Sequence, residues 1–155
     1  MKRLTGGLLG ALVLGMALSP VVALAASAAT SAIEVYRDPS CGCCGDWIRY
    51  LRAQGYTVTV HEEQAMAAVK ARLGVPAKSA SCHTAQIGGY VIEGHVPVED
   101  IRRLLTEHPD ARGLAAPGMP MGSPGMEMGA PARYDVVLIG RHGSTRIYAT
   151  HGPKV

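Results

Sequence analysis

The fold is decided by residues 33–60, which read IEVYRDPSCGCCGDWIRYLRAQGYTVTV. Alternation of apolar and polar residues over 33–36 and the β-branched run at 56–60 predict two strands. Between them, apolar residues recur at spacings of three and four over 46–54, which predicts a helix that ends at Gly55. This order indicates a strand–helix–strand unit with a cluster of cysteines at the start of its helix.

The rest of the chain extends this unit. The remaining predicted elements are a helix over 64–73 ending at Gly74, a hairpin of Thr84–Ile87 and Tyr90–Glu93 around Gly88-Gly89, a helix that begins at Pro97, and a second hairpin of 134–139 and 145–149. Residues 113–131 are rich in Gly, Pro and Met, lack periodicity, and are predicted to form a loop. We therefore predict an α/β, thioredoxin-like fold with a mixed central sheet, flanking helices and a late extra β-hairpin.

The N-terminus has the order of a secretory signal peptide. Lys2 and Arg3 precede an uncharged apolar stretch over 4–24, and small residues with A-x-A spacing follow it. An uncleaved membrane anchor is the alternative, because this stretch approaches the ~20 residues that a spanning helix needs. Ser19-Pro20 and the small residues after it favour cleavage. We predict a signal peptide over 1–25 and export to the periplasm.

Size and charge limit what the exported chain can do. After a disordered leader over 26–32, the predicted domain over 33–155 is long enough to bury a hydrophobic core. The formal net charge is +3, and Lys2 and Arg3 supply two of these charges, so the mature chain is close to neutral. This balance argues against a nucleic-acid partner. The sequence after residue 25 contains no second long apolar run, so no membrane contact is predicted after cleavage.

The cysteines are the candidate functional residues. Cys41, Cys43 and Cys44 lie at the predicted helix start, where unpaired N–H groups and the helix dipole favour thiolates. An even cysteine count in an exported protein normally indicates a disulfide framework, but a bridge from Cys43 to either neighbour would be strained. Cys82 directly precedes the third strand, and this fold plan places the loop that enters that strand beside the start of the first helix. We therefore predict one site that contains all four sulfurs.

Two kinds of chemistry fit such a site. Cys41 and Cys44 have the C-x-x-C spacing of thiol–disulfide oxidoreductases, which makes that enzyme class the alternative function. Cys43 is not needed by a dithiol enzyme, however, and Cys82 lies where thioredoxins keep a cis-proline. Metal binding explains the cluster better. Soft thiolates select Cu(I), zinc or iron–sulfur clusters, and zinc sites usually come as two separated C-x₂₋₄-C pairs.

Methionines favour copper among these metals. Met119, Met121, Met126 and Met128 lie in the Gly/Pro-rich loop, where no helical stripe would bury them. Thioethers remain soft ligands for Cu(I) where thiols oxidise. A flexible lid or linker is the alternative explanation of this loop.

Histidines are weaker signals. His83 adjoins Cys82, and we include it among the candidate ligands, with a surface histidine as the alternative. His95 follows the first hairpin and could also face the cluster. Scattered histidines are usually surface residues, so we leave His95 out.

The motifs now identified resemble those of the periplasmic CopG-type copper-resistance family, long catalogued as a domain of unknown function. The matching segments, in which we find no departure, are Asp38-Pro-Ser-Cys-Gly-Cys-Cys-Gly-Asp-Trp47, Lys70-Ala-Arg-Leu-Gly-Val-Pro76, Ser81-Cys-His-Thr-Ala85, Gly89-Tyr-Val-Ile-Glu-Gly-His-Val-Pro97 and Pro117-Gly-Met-Pro-Met-Gly-Ser-Pro-Gly-Met-Glu-Met128. They cover nearly all of the predicted mature chain.

The resemblance implies a thioredoxin-like fold and copper binding through the C-x-C-C motif, with a role in copper tolerance. It also implies copper redox cycling around a multinuclear thiolate cluster, and exchange of copper with other periplasmic copper-handling proteins. The implied ligands are Cys41, Cys43 and Cys44, with Cys82, His83 and the loop methionines as weaker assignments. The expected function is therefore copper binding, and whether the protein is also an oxidoreductase stays open.

Overall fold

A computed structural model describes residues 31–154. The predicted signal peptide lies outside these residues, and of the predicted leader only residues 31 and 32 are described. The described chain forms, in order, β1 (Ala32–Arg37), α1 (Gly42–Ala53), β2 (Thr57–Glu62), α2 (Met66–Leu73), a 3₁₀ turn (Ala77–Ser79), β3 (Thr84–Ile87), β4 (Tyr90–Glu93), α3 (Val98–Glu107), β5 (Gly113–Ala115), β6 (Tyr134–Ile139) and β7 (Thr145–His151).

These strands form one mixed sheet in the order β2-β1-β3-β4-β5-β6-β7. β1 pairs with β2 in parallel and with β3 in antiparallel orientation, and β4 pairs in parallel with β5. The other neighbours are antiparallel. The predicted α/β class, with a mixed central sheet, flanking helices and a late hairpin, is therefore confirmed.

Helices pack against both faces of the sheet. Val35 and Ala85 are partners in the β1–β3 pair and are fully buried in the same core as Trp47 of α1 and Ile101 of α3. Residues next to each other in a strand point to opposite faces. Thr84 therefore points to the other face, where α2 covers it. On the first face, α1 and α3 contact each other, since the Tyr50 hydroxyl accepts a hydrogen bond from the N–H of Val98 at 2.9 Å.

Local signals explain the ends of the helices. Gly74 adopts the left-handed conformation that ends α2, with a φ of 69°. α3 begins directly after Pro97 and buries Val98, Ile101 and Leu104, which are spaced by three residues. Both boundaries agree with the sequence predictions.

Several boundaries differ from the predictions by a few residues, and two of these differences add residues to the sheet. Ala32, predicted to belong to the leader, already pairs with Thr57 in the β1–β2 ladder. The loop predicted over 113–131 begins with β5, because Gly113–Ala115 pair with β4 on one side and β6 on the other. A strand of three residues is too short to show a periodicity of its own. Among residues 31–154, no helix is both long and apolar enough to cross a membrane.

Candidate metal centre

The cysteine motif lies where β1 turns into α1. The side chain of Asp38 accepts hydrogen bonds from the N–H and hydroxyl of Ser40 at 2.8 and 2.5 Å, and its carbonyl accepts one from the N–H of Cys41 at 3.0 Å. This turn places Cys41 at the N-cap of α1. The other two motif cysteines fall in the first turn of the helix, as predicted.

The structure joins Cys41 and Cys44 by a disulfide and leaves Cys43 and Cys82 as thiols. The sequence predicts that a bridge from Cys43 to either neighbouring cysteine would be strained, and Cys43 forms no disulfide. The bridged pair, Cys41 and Cys44, has the C-x-x-C spacing. Cys43 Sγ lies 3.5 Å from Cys41 Sγ and 4.0 Å from Cys82 Sγ. All four sulfurs lie within 4.8 Å of one another. The predicted proximity of Cys82 to the motif is therefore confirmed.

Sheet topology explains how Cys82 reaches the motif across 38 residues of sequence. β3 runs antiparallel to β1, and Thr84 pairs with Tyr36 near the end of β1. The residues before β3 therefore lie beside the segment that leads from β1 into the motif. No peptide bond within residues 31–154 is cis.

Two buried histidines complete the site. His83 Nδ1 and His95 Nε2 each lie 3.2 Å from Cys82 Sγ, and both rings are fully buried. His95 Nδ1 lies 2.8 Å from the carbonyl oxygen of Pro124. A carbonyl can only accept, so Nδ1 carries the proton and the lone pair of Nε2 faces the sulfur. His83 packs against Trp47, with ring centroids 4.4 Å apart.

His83 also carries an unsatisfied polar atom. Its Nε2 is buried and has no hydrogen-bond partner among the described residues. Buried polar atoms are normally paired, so this nitrogen is an exception. A metal ion bound at Nδ1 would leave the proton on Nε2 and would not pair it.

Sequence reasoning left out His95, although a usable signal was present. The two-residue loop Gly88-Gly89 pairs Ile87 with Tyr90, and the same register continues to Thr84 and Glu93. Extending that register by two residues sets Cys82 opposite His95. The hairpin alone therefore predicts that His95 faces the cysteine.

Gly94 allows this approach. Its φ is 72°, and a Cβ there would lie 2.5 Å from Ser81 Cβ and Oγ and 2.7 Å from the carbonyl oxygen of Ala116. A residue with a side chain would push the two segments apart. Glycine is therefore required where His95 comes close to Cys82.

Burial controls protonation at the site. Desolvation lowers the pKa of His83 well below its usual value, with further lowering from His95 and Lys70, and it also lowers the pKa of His95. Both rings are thus neutral near pH 7, the form that binds metals. Burial, followed by the nearby Cys43, raises the pKa of Cys82 to about 11. Without a metal ion, Cys82 therefore holds its proton, and a metal ion would displace it.

The segment between β5 and β6 carries Met119, Met121, Met126 and Met128 and is called the methionine loop below. Its backbone lies against the site. The N–H of Gly118 donates to the carbonyl of Ala80 at 3.1 Å, and Gly125 packs directly on the backbone of Trp47. Among the predicted ligands, Met119 and Met128 are 55% and 75% exposed, Met121 is partly buried and Met126 is buried. The assignment of these methionines as ligands stays a prediction.

A protein-family model matches part of the chain. Residues 79–126, which include Cys82, His83 and His95, match the family model described as "Protein of unknown function, DUF411". The curated proteins gave no match.

Two solved structures are similar over most of the chain. They are described as copper resistance protein CopG, form 1 and form 2, and each is 52% identical with a TM-score of 0.74. The alignments cover 79% and 78% of this chain and 98% of each CopG chain. At this identity and coverage, the chain belongs to the CopG copper-resistance family.

Proposed function

We propose that this protein binds copper as Cu(I) and contributes to copper tolerance outside the cytoplasm. The observation that carries the proposal is the gathering of Cys41, Cys43, Cys44 and Cys82 within 4.8 Å from two distant segments. The imidazoles of His83 and His95 adjoin this sulfur group through Cys82. Thiolates and neutral imidazoles are a soft donor set that suits Cu(I).

Copper is favoured over zinc by two further points. The solved relatives are named copper resistance proteins. Cys43 and Cys44 are adjacent in sequence, an arrangement that suits sulfurs shared between ions better than the separated pairs of a typical zinc site. The bound metal is the protein's cargo in this proposal, and the loop methionines would contact it as it arrives or leaves.

Binding by all four sulfurs requires reduction of the Cys41–Cys44 disulfide. An external dithiol would reduce this disulfide to two thiols by thiol–disulfide exchange and would itself be oxidised to a disulfide. The thiols of Cys41 and Cys44 then lose their protons when the metal binds. While the disulfide is intact, the remaining donors are Cys43, Cys82, His83 and His95. The oxidation state of one cysteine pair would therefore set how many copper ions the protein holds.

The predicted export is consistent with the same function. The basic start, the apolar stretch and the small residues after it predict a signal peptide, and copper tolerance in the periplasm would require such a signal. N-terminal sequencing of protein from a periplasmic extract should find a start near residue 26. Recovery of the uncleaved chain from the membrane fraction would contradict this part of the proposal.

The main experiment is an anaerobic titration of the reduced protein with Cu(I) against a competing Cu(I) chelator. Copper should bind tightly and protect the thiols from alkylation, and Cys43→Ser should lose much of this binding. Zn(II), titrated in parallel, should bind less tightly. Retention of zinc equal to or better than that of Cu(I) would overturn the assignment.

The chain offers a matched control for the loop. Met119→Leu combined with Met128→Leu removes two exposed thioethers, whereas Met66→Leu makes the same change at the start of α2. If the loop methionines take part in copper handling, the double variant should exchange copper more slowly with the chelator than Met66→Leu does. Identical exchange rates would support the lid or linker alternative.

One observation favours a second candidate, a thiol–disulfide oxidoreductase. Cys41 and Cys44 form the disulfide at the start of α1, where such enzymes carry their reactive pair. A dithiol enzyme does not need Cys43, so Cys43→Ser should leave its activity intact. Reduction of insulin by the wild type at a rate unaffected by Cys43→Ser would establish this second function instead.

A further inference from the structure

An ion pair between Lys70 and the buried Glu93 adjoins the Cys82-His83 segment of the proposed metal centre. Glu93, at the end of β4, is fully buried, and its Oε1 accepts hydrogen bonds at 2.6 Å from Lys70 Nζ and from the N–H of Ser81. Its Oε2 accepts a third at 2.6 Å from the hydroxyl of Thr84. Lys70 Nζ also lies 3.0 Å from that hydroxyl oxygen. The carboxylate is therefore held by three donors, one from α2 and two from the segment 81–84.

The partners of Glu93 bracket the ligand-bearing residues. Ser81 and Thr84 immediately flank the Cys82-His83 pair, and Glu93 itself stands two residues before His95. The backbone adds a further link between the two segments, because the N–H of Gly94 donates to the carbonyl of His83 at 3.0 Å. A single carboxylate thus connects both segments that supply donors around Cys82 Sγ.

Stability alone does not explain this arrangement. An ionised carboxylate loses its hydration when buried, and the attraction of its partner roughly offsets that cost. Apolar residues of similar volume often give equal or greater stability at such positions. The ion pair instead fixes the geometry of the segments around it, since each hydrogen bond sets the position of one specific atom.

We propose that Glu93, Lys70 and Thr84 are positioning residues for the metal centre, and this inference rests on the copper-binding function proposed above. They fix the Cys82-His83 segment relative to His95, so that one thiol and two imidazoles converge. None of the three contacts the metal. Partners that orient ligands in this way typically change metal affinity by roughly 10- to 100-fold when they are removed.

The sharpest variant is Thr84→Val, which removes the hydroxyl with little change in shape. Thr84→Ser keeps the hydroxyl and serves as the conservative rescue. Thr106→Val is the matched control, because the Thr106 hydroxyl donates to the carbonyl of Arg102 on the exposed side of α3, away from Glu93 and Lys70. Lys70→Met removes the cation and tests the ion pair directly.

Two measurements on the reduced full-length chain test the proposal. The first is the imidazole ¹⁵N spectrum of the metal-free protein, which reports the tautomer and surroundings of His83 and His95. The second is Cu(I) affinity by chelator competition. Thr84→Val should shift both histidine signals and weaken Cu(I) binding by about tenfold or more. Thr84→Ser and Thr106→Val should match the wild type in both measurements.

The results separate this inference from the function it rests on. The positioning role would be overturned if a folded Thr84→Val or a folded Lys70→Met kept wild-type histidine spectra and wild-type Cu(I) affinity. If the wild type itself binds no Cu(I), the proposed function fails. The metal-free spectra then still decide whether these residues position the histidines.

Discussion

Gly94→Ala tests the close approach that brings His95 to Cys82. A left-handed φ costs an L-residue about 1–2 kcal/mol, and Gly94 has a φ of 72°. The added methyl group would also lie 2.5 Å from two atoms of Ser81 and 2.7 Å from a backbone oxygen that cannot rotate away. Such overpacking costs a further ~1–3 kcal/mol. We expect a total loss of about 2–5 kcal/mol in the free energy of unfolding.

Gly89→Ala is the matched control. Gly89 has a φ of 82°, but a Cβ there would meet nothing within 4 Å. This variant should therefore lose only the backbone contribution of about 1–2 kcal/mol. Urea unfolding followed by circular dichroism measures both free energies of unfolding under the same conditions.

A second readout links the strain to the site. Gly94→Ala must move Ser81 and the adjacent Cys82 away from His95, so it should also weaken Cu(I) binding, whereas Gly89→Ala should not. Equal urea midpoints and equal Cu(I) affinities for the two variants would refute the reasoning. The segments around Gly94 would then not be in contact in solution.

Three further predictions follow from the site. The protein with the Cys41–Cys44 disulfide intact should bind fewer Cu(I) ions than the reduced protein in anaerobic titrations; equal capacities would mean that these two sulfurs are not ligands. Burial lowers the pKa of His83 and of His95, so their imidazole ¹⁵N signals in the metal-free protein should titrate below pH 6.5. The unfolded chain takes up these protons at a higher pH than the folded protein does, so the free energy of unfolding should fall as the pH drops through about 6.5. Titration midpoints of the two histidines at or above that pH would contradict the burial. Trp47→Phe should cost about 1–3 kcal/mol, because the indole N–H donates to the carbonyl of Val96 at 3.1 Å and phenylalanine would leave that oxygen unpaired; a urea midpoint equal to that of the wild type would contradict this role.

The local parts of the fold could be read from sequence. The hairpin of β3 and β4 matches its prediction residue for residue, because Gly88-Gly89 sets both the turn and the register. α3 begins after Pro97 and ends where its apolar spacing stops. In both cases the deciding interactions lie within a few residues of one another.

Features that depend on distant contacts were harder to predict. β5 has only three residues, and its place in the sheet is decided by β4 and β6 rather than by its own composition. Lys70 and Glu93 are 23 residues apart, and nothing in either local sequence indicates a buried pair. Cys82 was placed correctly because the order of elements, rather than any local pattern, determines its neighbours.

The hydrogen bond from His95 to the carbonyl oxygen of Pro124 has a consequence for how the methionine loop can vary. The loop holds this histidine through a main-chain atom, which every amino acid possesses. Replacing side chains in the loop therefore leaves the ring orientation unchanged, whereas inserting or deleting a residue between Gly118 and Gly125 would move the carbonyl away. The site therefore constrains the length of this segment, independently of any requirement for its methionines.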